Sequence, residues 1–67
     1  MSNFTGLEAR LDALCGQATE FQVQWLVSWV IVHIAPSDFN KAIDLAIESG
    51  IEGLSAELFM RKAELGA

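Results

Sequence analysis

Apolar residues recur at helical spacing along nearly the whole chain, and the breaks fall at residues that start or stop helices. Leu7, Leu11 and Leu14 share one helical face, and Phe4 extends it backward. Thr5-Gly6-Leu7-Glu8 has the S/T-x-x-E form of a capping box. Gly16 suits a left-handed C-terminal cap. The spacing predicts a first helix over about residues 6–15, with Glu8, Arg10 and Asp12 facing water.

Thr19-Glu20-Phe21-Gln22 repeats the capping signature with Gln in the fourth place. The run that follows, from Phe21 to Ala35, holds no charged residue unless His33 is protonated, and Pro36 ends it. Its Val, Ile and Trp content makes a buried strand a competitor. The cap, the length and the helical neighbours favour a second helix over about residues 20–35.

Ser37 is a good N-cap residue, with Asp38 placed to favour the dipole of a third helix. Phe39, Ala42, Ile43, Ala46 and Ile47 form its apolar stripe, and Lys41, Asp44 and Glu48 its solvated one. Gly50 closes it, and 51–53 is a short turn. Leu54, Leu58 and Leu65, with Phe59 and Ala63, mark a fourth helix, whose Glu57 and Arg61 stand in the favourable i,i+4 order. The pattern predicts an all-α fold, a compact bundle of four short helices forming a single domain over residues 1–67, with a central hydrophobic helix at 20–35.

The second helix is unusual on a helical wheel. Glu20, Gln24, Ser28 and Ala35 share one narrow polar or small sector, with Ile31 intruding. The rest is mostly apolar and splits into two lobes. One holds Phe21, Trp25, Trp29 and Val32; the other holds Val23, Leu26, Val27, Val30 and Ile34. A surface helix needs only one apolar stripe, so this one must be covered from two sides. Either it runs through the middle of the bundle, or one lobe meets a second protein chain. Trp is enriched at interface hot spots, which assigns the partner face to Phe21, Trp25, Trp29 and Val32. A twofold homodimer with this helix packed on its mate is the commonest such arrangement. A membrane span is disfavoured: the uncharged run of about 17 residues is short, flanked by Glu20 and Asp38, and contains two Gln and a His.

Composition sharpens this picture. A chain of 67 residues supplies only a small core, and such chains usually add a disulfide, a metal or a second subunit. One cysteine, Cys15, rules out an intrachain disulfide; one histidine, His33, rules out a zinc site of Cys and His ligands within one chain. No metal or cofactor is expected, and a second subunit or partner remains. The lone cysteine and the absence of a basic stretch followed by an apolar run in Met1–Arg10 read as cytoplasmic. The net charge of −5 opposes binding to phosphate backbones or anionic membranes and permits a basic partner.

Catalytic chemistry is thinly represented. Cys15 and His33 are the strongest candidates for nucleophile and base, but Cys15 lies near the apolar stripe of the first helix, where a buried, inert thiol is expected. His33 forms a ladder with Trp25 and Trp29, where packing is the commoner role. No Gly-rich phosphate loop or H-E-x-x-H pair is present. The carboxylates of Asp44, Glu48 and Glu52 follow helical spacing, as on a solvated face. The chain reads as a non-enzyme.

Leu45-Ala46-Ile47-Glu48-Ser49-Gly50-Ile51, followed by Ala56 and Phe59, resembles a helix-turn-helix DNA-binding unit over about 20 residues. Ala46, Gly50 and Ile51 match that pattern, and Ser49 departs from it. The resemblance implies a small transcription regulator with its corner at 38–65. However, the end of the second helix that would enter the major groove carries Glu52 and Glu57 and no basic residue, which DNA would repel.

The sequence therefore points to a non-enzymatic protein–protein interaction module, expected as a homodimer. An acidic partner face of Asp38, Asp44, Glu48, Glu52 and Glu57 would meet a basic, nucleic-acid-binding protein, with no direct nucleic-acid contact and no membrane. Size and acidity, though no residue motif, are shared with small phage and mobile-element inhibitors of host machinery, anti-CRISPR proteins included. The competing expectations are the transcription regulator and a structural subunit of a larger complex.

Overall fold

Thr19 caps the most hydrophobic helix of the chain, which packs on the last helix, whereas the third helix, and not this one, lies on two neighbours. Its hydroxyl accepts from the Gln22 N–H at 3.1 Å, and the Gln22 carboxamide accepts from the Thr19 N–H at 2.8 Å, so the expected capping box is formed in full. The structure, a computed structural model, describes residues 2–66. It contains α1 (Phe4–Ala13), α2 (Glu20–His33), a single 3₁₀ turn (Pro36–Asp38), α3 (Phe39–Ser49) and α4 (Leu54–Glu64). Among the described residues all regular structure is helical, as the hydrophobic spacing predicts, and the strand alternative for 20–35 is not adopted.

Two helix caps and one ion pair differ from expectation. Asn3, not Thr5, caps α1, and its side chain accepts from the Gly6 N–H at 2.9 Å. Gly6 makes room for this cap, since a Cβ there would sit 2.7 Å from the Asn3 carboxamide nitrogen. Thr5 lies inside the first turn and faces water. At the start of α3, Ser37 is taken into the 3₁₀ turn and does not cap. Pro36 opens that turn, and Asp38 stands at the N-cap without a side-chain cap bond. On α4, Arg61 pairs with Glu64 at 3.7 Å and not with Glu57.

Gly50 ends α3 in the left-handed region at φ 74°, as its position predicts. Gly53 repeats this conformation at φ 83° just before α4, so the turn 50–53 is bracketed by two residues that need no Cβ.

The core is assembled from one stripe per helix. Leu7 and Leu11 of α1, Val23, Leu26, Val27 and Val30 of α2, Phe39, Ala42 and Ala46 of α3, and Leu54 and Leu58 of α4 are buried together with Ile34 and Ile51. Phe4, Leu14, Ile43 and Leu45 pack against its edge. Two small residues, Ala42 and Ala46, let α3 approach its neighbours closely; α3 lies on both α1 and α4, and α2 on α4. The radius of gyration is 10.6 Å, against about 10.9 Å expected for a compact chain of this length.

The Ser2–Asn3 segment ties the two halves of the chain together. The Asn3 N–H donates to the His33 carbonyl at 3.2 Å. The Ser2 hydroxyl accepts from the Ala35 N–H at 2.9 Å and donates to the Asp38 carboxylate. Lys41 of α3 rests its ammonium 4.6 Å from the centre of the Phe4 ring. No helix among the described residues is long and apolar enough to cross a membrane.

Candidate interaction surface

Helix α2 sorts its two lobes unequally. Val23, Leu26, Val27, Val30 and Ile34, the second lobe of the wheel, are all buried. In the first lobe, Phe21, Trp25 and Val32 are 78%, 50% and 75% exposed. Trp29 departs from them: it is only 8% exposed. On the wheel it lies at the edge of its lobe, next to Gln22 and His33, and there α1 reaches it.

The residue that reaches it is Arg10. Its guanidinium carbon lies 4.5 Å from the centre of the Trp29 ring and 5.9 Å from that of Trp25. This is cation–π geometry. One guanidinium nitrogen donates to the Gly6 carbonyl one turn back at 3.1 Å, which fixes the side chain along α1. The His33 ring also packs on Trp29, with centroids 4.4 Å apart and planes tilted by 31°. The ladder of Trp25, Trp29 and His33 is thus joined by a cation from α1, and Arg10 covers aromatic surface rather than simply facing water.

Beside this stack, α1 and α2 leave an open apolar groove of about 350 Å³. Ala13 and Leu14 line it from α1 and its end, Phe21, Trp25 and Leu26 from α2, with Arg10 and Gln22 as its polar members. The exposed part of α2 and this groove are continuous through Phe21 and Trp25.

The five carboxylates expected on one acidic face are distributed differently. Asp38 holds the Ser2 hydroxyl. Glu48 lines a groove between α1 and α3 together with Glu8 and Asp12. Glu52 and Glu57 line another with Glu20, where the start of α2 meets the turn before α4. Asp44 stands exposed on α3. Among the described residues no group of three His, Cys, Asp or Glu side chains is arranged to hold a metal ion.

Cys15 is exposed, not buried. It follows the end of α1 with φ 53°, a left-handed conformation that turns it out of the apolar stripe, and its thiol points to the Asp12 carbonyl at 3.6 Å. Cys15 precedes the first turn of α2 and His33 occupies its last, so about 20 Å of helix lies between the two ends. The structure does not bring the pair together.

A second apolar surface escaped the sequence reading. Phe59, expected in the stripe of Leu54 and Leu58, is 62% exposed, and Met60 is 57% exposed. With Ala56 and Ala63, also exposed, they form the side of α4 opposite Leu54 and Leu58. The signal was present: at 100° per residue Phe59 falls far from the arc that holds positions 54, 58 and 65. Ile47 of α3 is likewise exposed rather than part of the buried stripe. In the corner resembling a helix-turn-helix unit, Ala46 and Ile51 are buried and Gly50 turns as that pattern requires. The outward side of the second helix nevertheless presents Ala56, Phe59, Met60 and Ala63 where DNA readers present polar and basic side chains.

No protein-family model matches the chain, and no curated protein and no solved structure matches it significantly.

Proposed function

We propose that this chain is a non-catalytic protein-interaction module whose contact surface is the outer face of α2 and the groove beside it. One observation carries the reading: Phe21, Trp25 and Val32 stand in water on a helix whose opposite side is fully committed to the core. Aromatic side chains at the edge of a concave apolar groove are the features that concentrate binding energy in protein interfaces. The capping of α2 at its start and its tie to the Ser2–Asn3 segment at its end support a preorganised face. The exposed, single thiol of Cys15 fits a reducing compartment.

Site-specific crosslinking in the native cell tests this. A photoreactive side chain at position 21 or 32 should crosslink to protein far more strongly than one at exposed Ala9 or Asn40. Equal yields from all four positions would end the proposal.

A second reading rests on the carboxylates. Glu8, Asp12 and Glu48 in one groove, and Glu20, Glu52 and Glu57 in another, leave both without a lining cation. Such grooves suit the basic side chains of a nucleic-acid-binding partner, as an inhibitor of such a complex requires. Replacing Glu8, Asp12 and Glu48 with amides should then slow association with that partner and flatten its salt dependence. The transcription-regulator reading is opposed by the acidic start and apolar outer side of α4.

A further inference from the structure

We propose that the α2 face and its groove are filled by the outer side of α4 from a second copy of this chain. The inference rests on the α2 reading above and names the occupant. Two features make the surfaces complementary. The first is shape. Phe59 and Met60 project from α4 between two small residues, Ala56 and Ala63, and so form a ridge. Phe21 and Trp25 wall a groove closed by Ala13, Leu14 and Leu26. The second is charge. The one charged residue lining the groove is the cation Arg10, whereas Glu57 and Glu64, the latter shared with Arg61, stand along one flank of the ridge and Lys62 along the other. A ridge seated in the groove brings a carboxylate to the guanidinium while Arg10 keeps its place over Trp29.

The expected pairing of α2 with α2 accounts for less. It would leave Phe59 and Met60 in water and give Arg10 no anion. Two chains of net charge −5 also repel one another, so a contact that matches opposite charges is favoured over one that matches like surfaces. The contact joins unlike surfaces, so two copies can satisfy it reciprocally, or successive copies can add head to tail.

Sedimentation equilibrium over a wide range of concentration tests the proposal with two variants, Phe21→Asp in the groove and Phe59→Asp on the ridge. Both side chains are exposed, and far-UV circular dichroism checks that each variant remains helical. The wild-type mass should rise with concentration to a dimer or beyond. Each variant alone should associate roughly tenfold or more weakly. Where copies add head to tail, an equimolar mixture should form a one-to-one heterodimer that grows no further, because one variant keeps its ridge and the other its groove; in a reciprocal dimer one of the two contacts stays broken and the mixture should associate more weakly than wild type. Arg10→Glu should also weaken association, and partial recovery is expected on mixing with a Glu57→Lys, Glu64→Lys chain. A wild-type chain that stays monomeric throughout would overturn the inference. So would association that Phe21→Asp abolishes and Phe59→Asp leaves intact; the α2 face would then remain an interface with a different occupant. Association insensitive to Phe21→Asp would overturn the inference and the α2 reading together.

Discussion

The guanidinium of Arg10 lies 4.5 Å from the centre of the Trp29 ring and is the α1 group that covers the one tryptophan of α2 drawn out of water. The same side chain borders the open groove, so it links the stability of the fold to the character of its exposed surface.

Removing it should therefore be visible in two ways. Arg10→Ala should cost about 1 kcal/mol of stability, the scale of a cation–π contact with its packing. It should also shift tryptophan emission to longer wavelength as Trp29 gains water. Arg10→Lys keeps the charge but not the planar stacking group, and should recover only part of both effects. Chemical denaturation followed by fluorescence checks this; an unshifted spectrum in Arg10→Ala would show that Trp29 is shielded without Arg10.

The two threonines that carry the same sequence signature should behave differently. Thr19→Ala removes a formed capping box and should cost about 1 kcal/mol. Thr5→Ala should change stability by less than about 0.5 kcal/mol, because Asn3 caps that helix. Asn3→Ala should resemble Thr19→Ala. Urea unfolding of the three variants separates them, and an equal cost at Thr5 and Thr19 would contradict the cap assignment.

Adjacent residues on α4 give the sharpest contrast. Leu58 is fully buried in the core, and Leu58→Ala should cost about 2–5 kcal/mol, enough to unfold much of a chain with so small a core. Phe59→Ala should leave the stability of dilute, monomeric protein within about 0.5 kcal/mol of wild type. Thermal unfolding at low concentration measures both. A large loss for Phe59→Ala would place that ring in the core.

Cys15 offers a chemical check on the loop between α1 and α2. The thiol should react completely with a maleimide in the absence of denaturant, and the modified chain should keep its helical content. Labelling that requires unfolding would show the thiol to be covered.

Much of this fold was legible because its punctuation is local. The Thr19–Gln22 box, Pro36 and Gly50 each act within four residues, and the helices they bound lie close to where the spacing puts them, although α2 ends at His33 and not at Ala35. The α1 cap was obscured because Asn3-x-x-Gly6 overlaps Thr5-x-x-Glu8, and both Asn and Thr are good N-cap residues. The two lobes of α2 followed from the wheel, but not which of them is buried: the wheel alone also allowed both to be covered. The burial of Trp29 did not, since it depends on Arg10 arriving from another helix. Nor did the dispersal of the carboxylates: the α1–α3 groove gathers Glu8, Asp12 and Glu48 from positions up to 40 residues apart, which no one-helix stripe describes. Phe59 is a different case, because its angular position was calculable and its apolar character outweighed it.

The Ser2–Asn3 segment has one further consequence. Its backbone and hydroxyl supply the partners of the His33 carbonyl, the Ala35 amide and the Asp38 carboxylate, three groups at the joint between α2 and α3. That joint consequently draws its protein partners from a distant part of the chain: without Ser2 and Asn3 these groups would turn to water. The Ala35 amide proton, whose acceptor stands 33 positions earlier, is thus a built-in gauge of whether α1 is docked on the rest of the molecule.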